Sequence, residues 1–264
     1  MMRQKLGQHF LVNPEIPDTM AAALEPAAGD TIVEVGPGHG ELTQAIVRAI
    51  AAADVKDIKL IAVEKDPGLA QEVREKFASY PFFEVVEADI LRFMKGGSGN
   101  KLVGNLPYYL TGHLLRVIGE SKRRPELVLV MVQKEVAARM AAKPPRMNRL
   151  AASVQFWAEP QILFEVHKND FDPPPEVDSA VVLLTAKKNI NERSSGIFYE
   201  MVRAVFAQPR KTVFNNLRSV FGKKKMSADA SLKLLAVVGI DPGARPQDLS
   251  IETIADLADK LANI

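Results

Sequence analysis

The chain has 264 residues, 47% of them hydrophobic and 25% charged, with 16 Gly and 17 Pro, which excludes a disordered, collagen-like or low-complexity protein. It has no cysteine, which rules out a disulfide scaffold, a zinc finger, an iron–sulfur site and a cysteine nucleophile, and its four histidines (His9, His39, His113, His167) share no metal-ligand spacing, so no metal site is expected. The formal charge of +2 is too small to argue for nucleic acid by itself, no apolar run nears a membrane span, and the start has no signal-peptide pattern, so a soluble cytoplasmic protein is expected.

From residue 30 onward, short β-branched runs alternate with helix-like stretches. Thr31-Ile-Val-Glu-Val35, Lys59-Leu-Ile-Ala-Val63, Phe82-Phe-Glu-Val-Val86, Lys101-Leu-Val-Gly104 and Glu126-Leu-Val-Leu-Val-Met-Val132 read as buried parallel strands. Between them 40–52, 67–78 and 111–120 have helical periodicity, and Asp66-Pro67 places an N-cap before a first-turn proline. Such alternation predicts a doubly wound α/β sheet. Gln161-Ile-Leu-Phe-Glu-Val166 and Ser179-Ala-Val-Val-Leu-Leu-Thr185, on either side of Phe171-Asp-Pro-Pro-Pro175, predict an edge hairpin that finishes it. The polar stretch from Lys187 to Gly196 reads as a linker, and helices are expected at 197–208, 210–221, 229–238 and 250–262. Two domains follow, 1–187 and 188–264.

Charge is unevenly spread. Residues 201–228 hold seven Lys/Arg (Arg203, Arg210, Lys211, Arg218, Lys223, Lys224, Lys225) and no acid, while 229–264 hold six acids and three bases. A second basic stretch surrounds Arg146 and Arg149. A solvated helix face is the plain explanation of such a run, and Phe206, Phe214 and Phe221, at helical spacing within it, are expected in a core.

The first strand enters Glu34-Val-Gly-Pro-Gly-His-Gly40. Glycines at Gly36 and Gly38 allow a tight turn and the close approach of a ligand. Glu64 ends the second strand, where a carboxylate can accept both hydroxyls of a ribose. Asp89 follows the third, placed to accept an adenine amine, and Asn105 follows the fourth. Each acid alone is equally well a helix cap; together, at the carboxyl ends of parallel strands, they predict a nucleoside pocket. No Lys or Arg stands ready for a pyrophosphate, which favours S-adenosylmethionine over NAD.

Gly104-Asn-Leu-Pro-Tyr-Tyr-Leu-Thr111 is the most specific segment. An adenine amine is a poor nucleophile because its lone pair is delocalised into the ring. The Asn105 side-chain oxygen and a backbone carbonyl near Pro107 are placed to accept the two amine hydrogens and localise that pair, and Tyr108 offers a ring for stacking a flipped base.

With these motifs the chain resembles the KsgA-type ribosomal RNA adenine N6,N6-dimethyltransferases over nearly its whole length. The match runs from Gly7-Gln-His-Phe-Leu11 through Val33-Glu-Val-Gly-Pro-Gly38, Glu64-Lys-Asp66, Asn105-Leu-Pro-Tyr108, Met131-Val-Gln-Lys-Glu135, Phe171-Asp-Pro-Pro-Pro-Glu-Val-Asp-Ser179 and Phe206-Ala-Gln-Pro-Arg-Lys-Thr212 to Gly239-Ile-Asp-Pro-Gly-Ala-Arg-Pro246. The resemblance implies a Rossmann-like class I methyltransferase sheet with a small all-α C-terminal domain. It implies that Gln8-His-Phe-Leu11, with His9 and Leu11, closes over the methionine end of the cofactor, and that Phe171 stacks on the target adenine opposite Tyr108. It implies that the helical domain grips RNA, for which Arg146, Arg149, Arg210, Lys211 and Arg218 are the candidates. Two departures stand out: His9 replaces a frequent Asn, and Pro209 interrupts a usually basic run.

The expected function is therefore dimethylation of two adjacent adenines at N6 in a small-subunit ribosomal RNA hairpin, by a monomer that meets RNA or the immature small subunit and no membrane. A methylase of large-subunit RNA shares most of these motifs, although Phe171-Asp-Pro-Pro-Pro175 and Gly239-Ile-Asp-Pro242 favour the small subunit. A non-catalytic RNA-binding factor is a further alternative, opposed by Glu64, Asp89 and Asn105-Leu-Pro-Tyr108; a dehydrogenase is a distant third.

Overall fold

The computed structural model describes residues 9–54, 56–97, 99–188 and 195–263. Gly7 and Gln8 of the first motif, and residues 189–194 of the expected linker, lie outside them.

Chain contacts divide the protein into two units, Met1–Ala137 with Glu159–Ala186, and Ala138–Ala158 with Lys187–Ile264. The first contains β1 (Phe10–Leu11), α1 (Glu15–Ala23), β2 (Thr31–Val35), α2 (Glu41–Ala52), β3 (Lys59–Glu64), α3 (Pro67–Lys76), β4 (Phe83–Glu87), α4 (Ile90–Gly96), β5 (Lys101–Asn105), α5 (Thr111–Glu120) and β6 (Leu127–Gln133). After α6 (Lys134–Met140) and α7 (Arg149–Gln155) the chain returns to it with β7 (Ala158–Val166), β8 (Phe171–Asp172) and β9 (Ser179–Ala186).

The five strands expected to be parallel are so, and each is bounded within a residue or two of its apolar run. They form a seven-stranded sheet in the order β4-β3-β2-β5-β6-β9-β7, with β9 antiparallel to β6. The last two strands finish the sheet as expected, β9 inside and β7 at the edge. Hydrophobic burial drives this: Ile32, Leu60, Val103 and Leu129, one on each of β2, β3, β5 and β6, are fully buried. They pack with Ile46 and Ile50 of α2 and Val73 of α3.

Strand β2 pairs with β3 on one side and β5 on the other. The winding reverses between β2 and β5, so a crevice opens beyond their carboxyl ends. Gly104 belongs to that reversal: a Cβ there would sit 2.8 Å from the Val35 carbonyl oxygen. On α3, Asp66 accepts from the amides of Gly68 (2.9 Å) and Leu69 (3.3 Å) with Pro67 in the first turn, as the sequence predicts. A second, two-stranded ladder joins β1 to β8, pairing Phe10 with Asp172 and Leu11 with Phe171.

The second unit is helical, with α8 (Ser195–Val205), α9 (Val213–Lys223), α10 (Ala228–Val237) and α11 (Ile251–Ala262). The sequence places residues 138–158 in the first domain. Here Met147, Ala151 and Ala152 share one apolar cluster with Phe198, Val202, Leu217 and Leu257, which accounts for their place in the second unit. Phe206 and Phe221 are buried in that cluster and Phe214 packs against it, so none is a free stacking platform. Helix α9 begins three residues later than expected. Thr212 caps it by accepting the Asn215 amide at 3.3 Å, and the buried Asn216 carboxamide clasps the backbone of Gln208 through both of its polar atoms. Among the described residues no helix is long and apolar enough to cross a membrane.

Candidate active site

At the carboxyl ends of β2 to β5 lies a cavity of about 590 Å³, wholly within the first unit. It gathers all the pocket and reaction residues expected from the sequence: His9, Leu11, Gly36, Gly38, Glu64, Asp89, Asn105, Pro107, Tyr108 and Phe171. Phe10, Glu41 and His113 line it too. Phe10 belongs to the Gln8-His-Phe-Leu11 segment expected to close over the cofactor, whereas no pattern in the sequence marks Glu41 and His113, which sit in the first turns of α2 and α5 where periodicity is silent.

The turn after β2 forms the floor. Gly36 and Gly38 have φ of +64° and +61°, a left-handed backbone that a side chain would strain. The Phe10 ring rests on the bare face of Gly38, where a Cβ would lie 3.2 Å from Cε1, and also meets the His39 ring at 4.6 Å. Glu34, to which the sequence assigns no role, is 1% exposed. The Thr43 hydroxyl donates to its Oε2 at 2.7 Å. Burial, with smaller opposition from that hydrogen bond and repulsion from Glu41 and Glu64, pushes its carboxyl from 4.5 up to about 7.

The folded chain therefore holds the Glu34 proton more tightly than the unfolded chain does. Its favourable share of stability is complete below about pH 4.5 and fades as pH rises through about 7. Replacing Glu34 with Gln removes the ionisation, worth about 3 kcal/mol at alkaline pH. In thermal melts from pH 5 to 8 the variant should gain on the parent as pH rises; parallel curves would show an ordinary carboxylate.

Two carboxylates form the next wall. Glu64 is 7% exposed, and its Oε1 accepts the amides of Lys65 and Asp66, each at 2.8 Å. Those bonds hold it rigidly at the end of β3. Asp89 has both roles considered for it: Oδ1 caps α4 by accepting the Leu91 amide at 2.9 Å, and the residue also lines the cavity. The sequence offers no Lys or Arg ready for a pyrophosphate, yet a cation does stand at the pocket. Lys65 is among the lining residues, and its ammonium donates to Asp89 Oδ2 at 3.1 Å, which with the backbone bonds holds the Asp89 carboxyl below its ordinary value. Lys65 is thus paired with Asp89 at the cavity wall.

At the end of β5, the Asn105 side-chain nitrogen donates to the His9 carbonyl at 3.2 Å. A carbonyl only accepts, so this contact assigns the flip of the carboxamide and leaves its oxygen as the acceptor face. The Pro107 carbonyl already accepts the Leu110 amide at 2.9 Å. Tyr108 is half-buried, its ring 6.1 Å from that of His9 and inclined by 29°. Phe171 reaches the cavity but is only 4% exposed, held in the core through the β1–β8 ladder.

Arg146, Arg149, Arg210, Lys211 and Arg218 are all exposed and all belong to the second unit, and none of them is a lining residue of this cavity. Among the described residues, no group of His, Asp or Glu could hold a metal ion.

Comparison with known proteins places this geometry. Residues 1–263 match the family model for ribosomal RNA adenine dimethylase. A curated relative from Dehalococcoides mccartyi (strain CBDB1), named ribosomal RNA small subunit methyltransferase A, is 39% identical over 257 residues, covering 95% of this chain and 85% of its own. Among solved structures, a dimethyladenosine transferase from Plasmodium falciparum superposes with a TM-score of 0.80 at 23% identity, covering 97% of this chain and 98% of that one. A 23S rRNA methyltransferase, ErmE, gives 0.70 at 24% identity, covering 96% and 99%. These two likenesses give the fold as that of class I methyltransferases. With the fold, the cavity and the match along almost its entire length taken together, the chain belongs to the ribosomal RNA adenine dimethylase family.

Proposed function

We propose that this protein transfers methyl groups from S-adenosylmethionine to N6 of two adjacent adenines in a hairpin of small-subunit ribosomal RNA, in the cytoplasm. The observation that carries the reading is the Asn105 carboxamide, fixed in orientation at the carboxyl end of β5 in the same cavity as Glu64 and Asp89. The cavity suits the donor. Gly36 presents bare backbone to an incoming group, Glu64 is a rigid acceptor for vicinal hydroxyls, and the Glu41 and Glu64 carboxylates favour a cationic ligand.

S-adenosylmethionine supplies a methyl carbon on a positively charged sulfur that leaves as a neutral thioether. The residues supply position. Asn105 Oδ1 accepts one amine hydrogen. A main-chain carbonyl beside Pro107 accepts the other; the Pro107 carbonyl, which already receives the Leu110 amide, keeps a second lone pair for this. Two acceptors turn the nitrogen lone pair out of conjugation and toward the methyl group, and Tyr108 stacks the base. Once the N–C bond forms, the nitrogen is strongly acidic and its proton passes to solvent without a dedicated base.

The exposed basic residues of the second unit suit a phosphate backbone. Replacing Lys211 and Arg218 with Ala should weaken RNA binding and flatten the slope of log affinity against log salt by about 0.7–0.9 for each phosphate no longer neutralised. Filter binding at several salt concentrations reads this, and an unchanged slope returns the patch to a solvated face.

The function is tested by incubating immature small subunits and large subunits with labelled donor and identifying the product nucleoside by mass spectrometry. Dimethyladenosine confined to small-subunit RNA is expected. Label in large-subunit RNA alone, or in neither, overturns the reading.

A further inference from the structure

The first described residues form a strap over the reaction end of the cavity. Its inner part is secured several times: the Val12 amide donates to the Asp170 carbonyl at 2.9 Å, the Asn13 carboxamide donates to Asp170 Oδ1 at 3.1 Å, and Phe10 and Leu11 pair with β8. At His9 the ladder ends. There the imidazole Nδ1–H donates to the Pro173 carbonyl at 2.7 Å. The same residue's main-chain carbonyl receives the Asn105 carboxamide. His9 thus links the turn after β8 to the last residue of β5, and it does so with two different atoms.

We propose that His9 is a positioning residue for methyl transfer: its imidazole, fastened to the Pro173 carbonyl, holds its own carbonyl where that carbonyl sets the orientation of Asn105. A carboxamide is nearly symmetric in shape, and only its partners distinguish oxygen from nitrogen. If the His9 carbonyl drifts, the reversed rotamer is no longer disfavoured and turns N–H groups toward an amine that also needs to donate. The two-residue ladder ends at Phe10, and the His9 carbonyl lies in the peptide plane that joins the two residues, so the freedom that the imidazole contact removes is rotation of that terminal plane.

This inference rests on the proposed methyl transfer, and its test separates the two. His9→Ala should lower kcat about tenfold to a hundredfold, the range expected when a reacting group is misplaced by an ångström or less. KM for the RNA particle should stay within about twofold of the parent, and donor affinity measured calorimetrically without RNA should fall by much less than kcat, because the effect of the imidazole runs through Asn105. His9→Asn carries an amide nitrogen at the place of Nδ1, can donate to the same carbonyl, and should restore most of the turnover. His9→Leu is similar in bulk, cannot donate, and should behave as the Ala variant. If the Ala variant does not fold, the Asn and Leu pair makes the same comparison.

Wild-type turnover in the Ala or Leu variant overturns the proposal. So does equal impairment of Asn and Leu, which would point to the ring contact with Tyr108, and so does a loss confined to donor affinity. An inactive parent protein strikes instead at the function proposed above.

Discussion

Replacing Asn105 with Ala is expected to lower single-turnover methyl transfer about 100- to 1,000-fold, the scale of losing one preorganised hydrogen-bonding group at a reacting centre. Donor affinity should change by no more than several-fold. The asymmetry follows from where the side chain directs its hydrogen bonds: its nitrogen is committed to the His9 carbonyl, and its oxygen matters only when an amine is present. Asn105→Asp separates the halves of this account. It keeps an acceptor but gives up the donor to His9 and sets a negative charge against a carbonyl oxygen, so its turnover should also fall, with the acceptor geometry no longer held. Single-turnover transfer with pre-bound donor, paired with calorimetric titration, measures both quantities. Unimpaired chemistry in the Ala variant would remove Asn105 from the mechanism.

Glu64→Ala should produce the opposite signature, with donor affinity falling and turnover at saturating donor largely kept. Charge-assisted hydrogen bonds to a pair of hydroxyls are worth roughly 1.5–3 kcal/mol, or about 10- to 150-fold in Kd. Glu64 also accepts the Lys65 and Asp66 amides, so truncation loosens the turn that starts α3 and lowers the melting temperature even without ligand. Glu64→Gln retains an oxygen for those two amides. Its melting temperature should sit near the parent's while its donor affinity remains reduced, because a neutral amide is a weaker acceptor and its nitrogen is a donor. An unchanged Kd in the Ala variant would exclude Glu64 from the pocket.

The sheet is legible in the sequence because its central strands are buried and therefore read as unbroken runs, such as Leu127 to Val132, that no exposed segment would carry. Asp66 is legible as a cap because its physics is local, needing only the next two or three residues. What escapes detection is non-local or too short. Strands β1 and β8 have two residues each, below any periodicity, and His9 meets Pro173 across 164 positions. Ala151 and Ala152 carry an apolar signal that says they are buried but not against what, so the sequence alone does not group α7 with the helices that follow the sheet. Lys65 shows a different difficulty. A lysine after a strand is visible to anyone reading the chain, yet whether its charge is engaged by Asp89 or available to a ligand depends on the spacing of β3 and β4.

The bridge between His9 and Pro173 also sets a condition on biosynthesis. The strap leaves the ribosome long before the turn that fastens it, which emerges only after most of the sheet has been translated. A nascent chain that stops short of Asp170 carries Glu64 and Asp89 but none of the residues to which the strap is fastened. Each new molecule thus completes this face by joining residues made early to residues made late.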